Sequence, residues 1–145
     1  MDNIQLRNLL ITSLMKMYEM DVFRNLAIFL QGEVQVLFYL GQNIGREINP
    51  SELSDNLHVS RPRITATLAS LRKKKYVSME LCKDDRRRML VTLTPIGLDF
   101  IKDRQKQVER YFDLLVEGLE KDNVLELNRL IERSIQVMQD TGPDL

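Results

Sequence analysis

The chain has 145 residues, 43% of them apolar, with 21 basic and 21 acidic side chains, one cysteine and one histidine. That is material for one domain, or one domain with an extension, and it excludes an intrachain disulfide and a structural zinc site built from several Cys or His ligands. No apolar run approaches the ~20 residues that cross a bilayer, and the N-terminus lacks the layout of a secretory leader, so a cytoplasmic protein with no membrane attachment is expected.

Residues 4–29 read as one helix. Leu6, Leu10, Leu14, Met17 and Met20 recur at spacings of three and four, and neither Gly nor Pro interrupts the run from Met1 to Gln31. GEVQVLFYLGQ, residues 32–42, is a second helix, buried through Val34, Leu37, Phe38 and Leu40 and ended by Gly41 and Gly45. Asn49-Pro50 opens a third, PSELSDNL at 50–57, because Asn caps well and Pro suits the first turn. After the tight connection HVS, Ser60 can cap a fourth helix, RPRITATLASLRKKK at 61–75, with Ile64, Leu68 and Leu71 on one face.

Two strands follow. YVSMELC (76–82) and RMLVTLT (88–94) alternate, with Val77, Met79, Leu81 and Met89, Val91, Leu93 as the apolar sets and a charged tip between them. Thr94-Pro95 is another cap-plus-proline start, for a helix to about residue 120 carrying Leu98, Ile101, Val108, Tyr111, Phe112, Leu115 and Leu119. Asp122 can cap a last helix to about 139, with Leu127, Leu130, Ile131 and Met138, and Gly142-Pro143 ends it. The expected class is mainly α with a small β wing: about six helices and a two- or three-stranded sheet.

The zero net charge hides an asymmetry. Residues 1–60 carry −3, residues 61–88 carry +7 and residues 89–145 carry −4. A basic block on a neutral chain is an electrostatic footprint for a polyanion, although a solvated helix face has the same composition.

Short helix, tight turn, helix, hairpin is the order of a helix-turn-helix followed by a wing. A projection at about 100° per residue turns Ile64, Leu68 and Leu71 inward. The opposite side then holds Pro62, Ala66, Ala69 and Lys73, flanked by Arg63, Thr65 and Ser70. Small residues let such a helix sit deep in a major groove; Ala or Pro can touch thymine methyls and Arg63 can reach a guanine edge. Arg61, Arg72, Lys73, Lys74 and Lys75 suit phosphates. In the tip, Asp85 and Arg87 leave the same side of an extended segment, so the carboxylate can orient the guanidinium for a narrow minor groove.

DRRRMLVTLTPIG, residues 85–97, resembles the wing signature of the MarR family of bacterial transcription regulators: Asp-x-Arg, five residues, then Leu-Thr-x-x-Gly. SELSDNLHVSRPRITATLASLRKKKYV, residues 51–77, is similar to the helix-turn-helix of that family. The resemblance implies a homodimeric winged helix protein, with residues 1–30 and 95–145 as a helical dimerisation lobe and 31–94 as the DNA-binding lobe. By matching position it makes Asp85 the orienting aspartate, Arg87 the minor-groove arginine and Arg86 a neighbouring contact. The expected DNA contacts are thus Ser60, Arg61, Pro62, Arg63, Thr65, Ala66, Ser70, Lys73, Lys74, Asp85, Arg86, Arg87 and Arg88. Two departures stand out. Lys75 occupies the place of the usual Gly after the recognition helix, where a left-handed backbone is wanted, and Arg88 adds a further cation.

The family resemblance leaves room for a small aromatic or lipophilic effector that releases DNA. The first helix has no cysteine for the oxidant-sensing variant of that mechanism, and Cys82 reads as buried or incidental, with a regulatory thiol activated by Lys83 and Arg86 to Arg88 as the alternative. His58 reads as a turn or phosphate-contact residue. No nucleophile–base pair, phosphate-binding glycine loop or metal cluster is apparent, so neither an enzyme nor a cofactor is expected. The reading is a sequence-specific regulator of double-stranded DNA, a homodimeric repressor of pseudo-palindromic operators. The alternative is a winged helix used for protein contact, as an antirepressor or adaptor.

Overall fold

The computed structural model describes residues 1–85 and 88–142, so Arg86, Arg87 and residues 143–145 lie outside the described residues. In chain order it forms α1 (Asn3–Glu19), α2 (Asp21–Ile28), α3 (Gly32–Gln42), α4 (Pro50–Leu57), α5 (Arg61–Lys73), β1 (Val77–Leu81), β2 (Met89–Leu93) and α6 (Pro95–Thr141). The chain divides into two compact units, Met1–Val108 and Glu109–Leu145. No helix among the described residues is long and apolar enough to cross a membrane.

The single helix expected at 4–29 is two. Met20 is extended (φ −76°, ψ 139°), ending α1 and starting α2. No Gly or Pro marks the break. The one local signal is Asp21 in the first turn of α2, where its charge suits the positive helix end and pairs with Arg24 at 2.5 Å. α1 starts on a capping box, with Asp2 accepting from the Gln5 amide and the Gln5 side chain accepting from the Asp2 amide. Yet α1 buries none of its residues: its apolar stripe is uncovered, with Leu10 at 60% and Leu14 at 53% exposure.

The core of the first unit lies between α3, α4, α5 and the hairpin. It joins Phe29, Val36, Leu37, Leu40, Ile48, Leu53, Ile64, Leu68, Leu71, Val77, Val91 and Ile101. In α3 the fully buried set is Val36, Leu37 and Leu40, with Val34 and Phe38 only partly covered. Phe38 meets Phe29 edge to face at 5.3 Å.

β1 and β2 pair antiparallel, with Val77 opposite Leu93, Met79 opposite Val91 and Leu81 opposite Met89, so the two apolar sets share one face. That face is buried at Val77 and exposed at Leu81, so cover fades toward the tip. The sheet has two strands, and the Val91 amide also donates to the Ile48 carbonyl at 2.8 Å.

In the second unit the helix breaks at Glu120 (φ 64°, ψ 162°), two residues before the expected cap at Asp122. The Asn123 side chain donates to the Leu119 carbonyl at 2.9 Å, satisfying an acceptor at the break.

Candidate nucleic-acid interface

The turn between α4 and α5 is fixed by local chemistry. Asn49 caps α4 by accepting from the Glu52 amide at 2.8 Å. The Glu52 carboxylate in turn accepts from Tyr39 Oη at 2.9 Å and Arg46 Nη2 at 2.7 Å, tying α4 to the end of α3. Desolvation first, then this carboxylate, push the Tyr39 phenol above its ordinary value. α4 ends on His58 in the left-handed region (φ 54°, ψ 43°). Ser54 is buried and clamps the turn from both sides: its hydroxyl donates to the Val59 carbonyl at 2.5 Å, and its own carbonyl accepts from the Val59 amide at 3.2 Å. Ser60 then caps α5, accepting from the Arg63 amide, and Pro62 sits in the first turn.

α5 has three sides. Ile64, Leu68 and Leu71 are at most 1% exposed and anchor it; burying each contributes about 1.5–3 kcal/mol. Arg61, Pro62, Arg63, Thr65, Ala66, Ala69, Arg72 and Lys73 are exposed. Thr65, Ala69, Arg72 and Lys73 line an open groove with Met79 of β1, on the wing side. Arg63 and Thr67 line another with Gln31, Gly32, Gln35 and His58, on the α3 side. The outward surface between them is therefore small residues rimmed by cations.

Two expected DNA contacts, Ser70 beside the groove and Lys74 at the phosphates, are engaged elsewhere. The Ser70 hydroxyl donates to Glu33 Oε1 of α3, and Lys74 Nζ donates to Glu33 Oε2 at 2.6 Å. The hydrogen bond from Lys74 first, then that from Ser70, hold the Glu33 carboxyl below its ordinary range.

The exit of α5 explains the departure at Lys75. Lys75 adopts φ +64°, the left-handed conformation that Gly takes without strain. Its amide donates to the Arg72 carbonyl and the Tyr76 amide to the Leu71 carbonyl, both at 3.0 Å, closing the helix with the paired bonds of a Schellman motif. Thr94 holds this turn from the far end of the wing. Its Oγ1 donates to the Lys75 carbonyl at 2.6 Å and accepts from the Gly97 amide at 3.1 Å, and its amide donates to the Tyr76 carbonyl at 3.1 Å. Tyr76 stacks on Phe100 at 4.7 Å, and the Arg104 guanidinium lies over the Phe100 ring.

The hairpin closes through the Cys82 amide, which donates to the Arg88 carbonyl at 2.8 Å, while the Arg88 amide donates to the Asp85 carbonyl at 3.0 Å. Asp85 and Arg88 are exposed and Cys82 is half-buried. Arg86 and Arg87 lie outside the described residues, and with Arg87 the expected Asp85–Arg87 pair. Among the described residues no group of three or more His, Cys, Asp or Glu is placed to hold a metal ion.

A family model described as MarR family matches residues 30–88, which run from the end of α2 through the wing tip. Over this stretch, less than half of its length, the chain is similar to the MarR family. The described fold also has solved relatives. It is similar to Streptococcus pneumoniae FabT, solved in complex with DNA (TM-score 0.67, 16% identity, covering 97% of this chain and 100% of that one). It is similar to MepR, a transcription regulator of the Staphylococcus aureus multidrug efflux pump MepA (TM-score 0.66, 14% identity, 95% and 99% covered). It is also similar to the heme sensor protein PefR from Streptococcus agalactiae, solved with heme (TM-score 0.61, 17% identity, 95% of each chain). A comparison with curated proteins by sequence finds no match.

Sequence reasoning missed Glu33, Ser54 and the double role of Thr94. The Thr-Pro-x-Gly run was the available signal for Thr94, since a capping Thr before Pro leaves its hydroxyl free to bond on both sides. Glu33 gave no signal, because its partners are 37 and 41 residues away.

Proposed function

We propose that the chain is a sequence-specific double-stranded DNA-binding transcription regulator of the cytoplasm, acting as a homodimeric repressor of pseudo-palindromic operators. One observation carries this: within a stretch similar to the MarR family, the exposed side of α5 presents Pro62, Thr65, Ala66 and Ala69 between Arg61, Arg63, Arg72 and Lys73. Small side chains let the helix enter a major groove, and the rim cations reach phosphates. Arg87 is proposed as the minor-groove arginine of the wing on the family pattern, with Asp85 orienting it.

The dimer rests on the uncovered apolar residues of each unit. In the first, α1 exposes Ile4, Leu6, Leu10, Ile11 and Leu14; in the second, Leu114, Leu125, Leu130, Ile131 and Met138 are exposed. Contiguous apolar surface of this kind marks an interaction site. A small aromatic or lipophilic effector is proposed as the releasing signal. The cavity lined by Ile28, Phe29, Arg104 and Val108 is about 10 Å³, so an effector binding there would have to part α2 from α6.

Selection of bound sequences from a pool of random duplexes tests the function. Retained sequences should form a pseudo-palindrome with half-sites about one helical turn apart, ~10 base pairs. Absence of any enrichment, with no salt-dependent retention, would reject it in favour of a protein-contact role.

A further inference from the structure

One stripe of α5 faces α3 instead of the wing. Arg63, Thr67, Ser70 and Lys74 follow one another at helical spacing; the first two border a groove beside Gln31, Gly32 and Gln35, and the last two bond Glu33. Both oxygens of that carboxylate are used, one by the Ser70 hydroxyl and one by the Lys74 ammonium. Glu33 lies in the first turn of α3, where the positive end of the helix favours its charge. The Lys74 side chain remains 52% exposed, so the ammonium is at the surface but already has a fixed anion.

We propose that Glu33 is a positioning residue that stands in for a DNA phosphate. It withholds Lys74 from the duplex and leaves the C-terminal end of α5 to address the backbone through Arg72, Lys73 and Lys75. The proposal rests on the DNA-binding reading above. A lysine adds to affinity by displacing condensed counterions when it meets a phosphate, and each such contact steepens the fall of log affinity with log salt by about 0.9. A lysine held by a carboxylate of its own protein adds nothing to that slope. The Glu33 clamp therefore limits sequence-independent attraction at the end of the recognition helix where the basic run Arg72 to Lys75 is densest.

The test is the salt dependence of duplex binding for the full chain, its Glu33→Gln variant and the double variant E33Q/K74A. Gln keeps the size of Glu and a hydrogen-bonding oxygen for Ser70 but has no charge for Lys74. Glu33→Gln should steepen the slope by about 0.9 for each recognition helix, about 1.8 for a dimer on a full site, so its advantage over the parent is about twelvefold larger at 50 mM than at 200 mM salt. Adding Lys74→Ala should remove that gain, and should lower the slope more in the E33Q background than in the parent. A gain that survives in E33Q/K74A would come from general charge, and would overturn the proposal, as would an unchanged slope in E33Q. A second readout needs no substitution. The ¹⁵Nζ resonance of Lys74 and the side-chain carboxyl ¹³C resonance of Glu33 should stay in place when duplex is added; joint displacement of both overturns the proposal. If the parent shows no salt-dependent binding, the DNA-binding reading fails and this one with it; salt-dependent parent binding with no effect of E33Q rejects this one alone.

Discussion

A Cβ placed on Gly97 would lie 2.1 Å from the carbonyl oxygen of Tyr76 and 2.9 Å from its carbonyl carbon. The glycine of the Leu-Thr-x-x-Gly signature is thus a spacing element: it lets the start of α6 press against the backbone that leaves the recognition helix. The obstacle is backbone, so no side-chain rotation relieves it. Gly97→Ala should destabilise the fold by about 3 kcal/mol, at the upper end for overpacking, because either α6 or the Lys75–Tyr76 turn must move. Denaturant unfolding would check this, and an Ala variant within 0.5 kcal/mol of the parent would show that the contact yields freely.

Lys75 sits on the other side of the same turn with φ +64°. A left-handed residue with a side chain costs roughly 1–2 kcal/mol, and Gly gives back about 0.5–1 kcal/mol of that through its greater freedom when unfolded. Lys75→Gly should therefore stabilise the chain by about 0.5–1 kcal/mol in the same unfolding assay. A loss of stability would mean that the lysine side chain contributes more than the backbone strain it imposes.

The parts of the site that were legible in sequence are those whose signals are local. Asn49-Pro50 and Ser60-Arg61-Pro62 placed the starts of α4 and α5 where the caps are found. Alternation placed both strands, and the left-handed requirement at Lys75 followed from a helix exit lacking its glycine. The break at Met20 was illegible because no residue there forbids a helix; only the extended Met20 backbone divides the run. The Glu33 clamp was illegible for another reason. Its partners are brought together by the packing of α3 on α5, which no local pattern encodes. The stripe of α1 was legible as apolar from its spacing, and only the resemblance, not periodicity, assigned it to a dimerisation lobe.

The Glu33 carboxyl titrates below its ordinary value of 4.5, chiefly through the hydrogen bond from Lys74. A depressed acid contributes stability that is fully present above its unfolded value and is lost as pH falls through the folded one. The parent should thus exceed Glu33→Gln in stability at neutral pH, with the difference shrinking as pH falls from the unfolded value through the lower folded one. Glu33 and Lys74 are 31% and 52% exposed, so the neutral-pH difference is small, about 1 kcal/mol or less. Unfolding curves of both proteins at pH 7 and pH 3 decide it; a constant gap across that range would place the stabilisation in packing and not in charge.

The wing is tested by its proposed groove arginine. Arg87→Ala should weaken duplex binding by about tenfold or more, since a guanidinium favoured by the narrow minor groove is lost, while leaving thermal stability and oligomeric state unchanged. Equal affinity of variant and parent would take the wing out of recognition and leave α5 as the sole reader.

α1 supplies the test of assembly. Leu10 and Leu14 are one helical turn apart and both more than half exposed, in a helix with no buried residue. If a second chain covers them, placing charges there desolvates two carboxylates at the interface, which costs far more than any gain from pairing them. If water covers them, the same change is nearly neutral. The double variant Leu10→Glu/Leu14→Glu should therefore convert a dimer to a folded monomer, seen by light scattering with circular dichroism as the control on folding. Its affinity for a two-half-site duplex should fall much more than its affinity for a single half-site, because the linkage between recognition helices is lost. A parent that is already monomeric at micromolar concentration, or a variant that remains dimeric, would show that the α1 stripe is not where the chains meet.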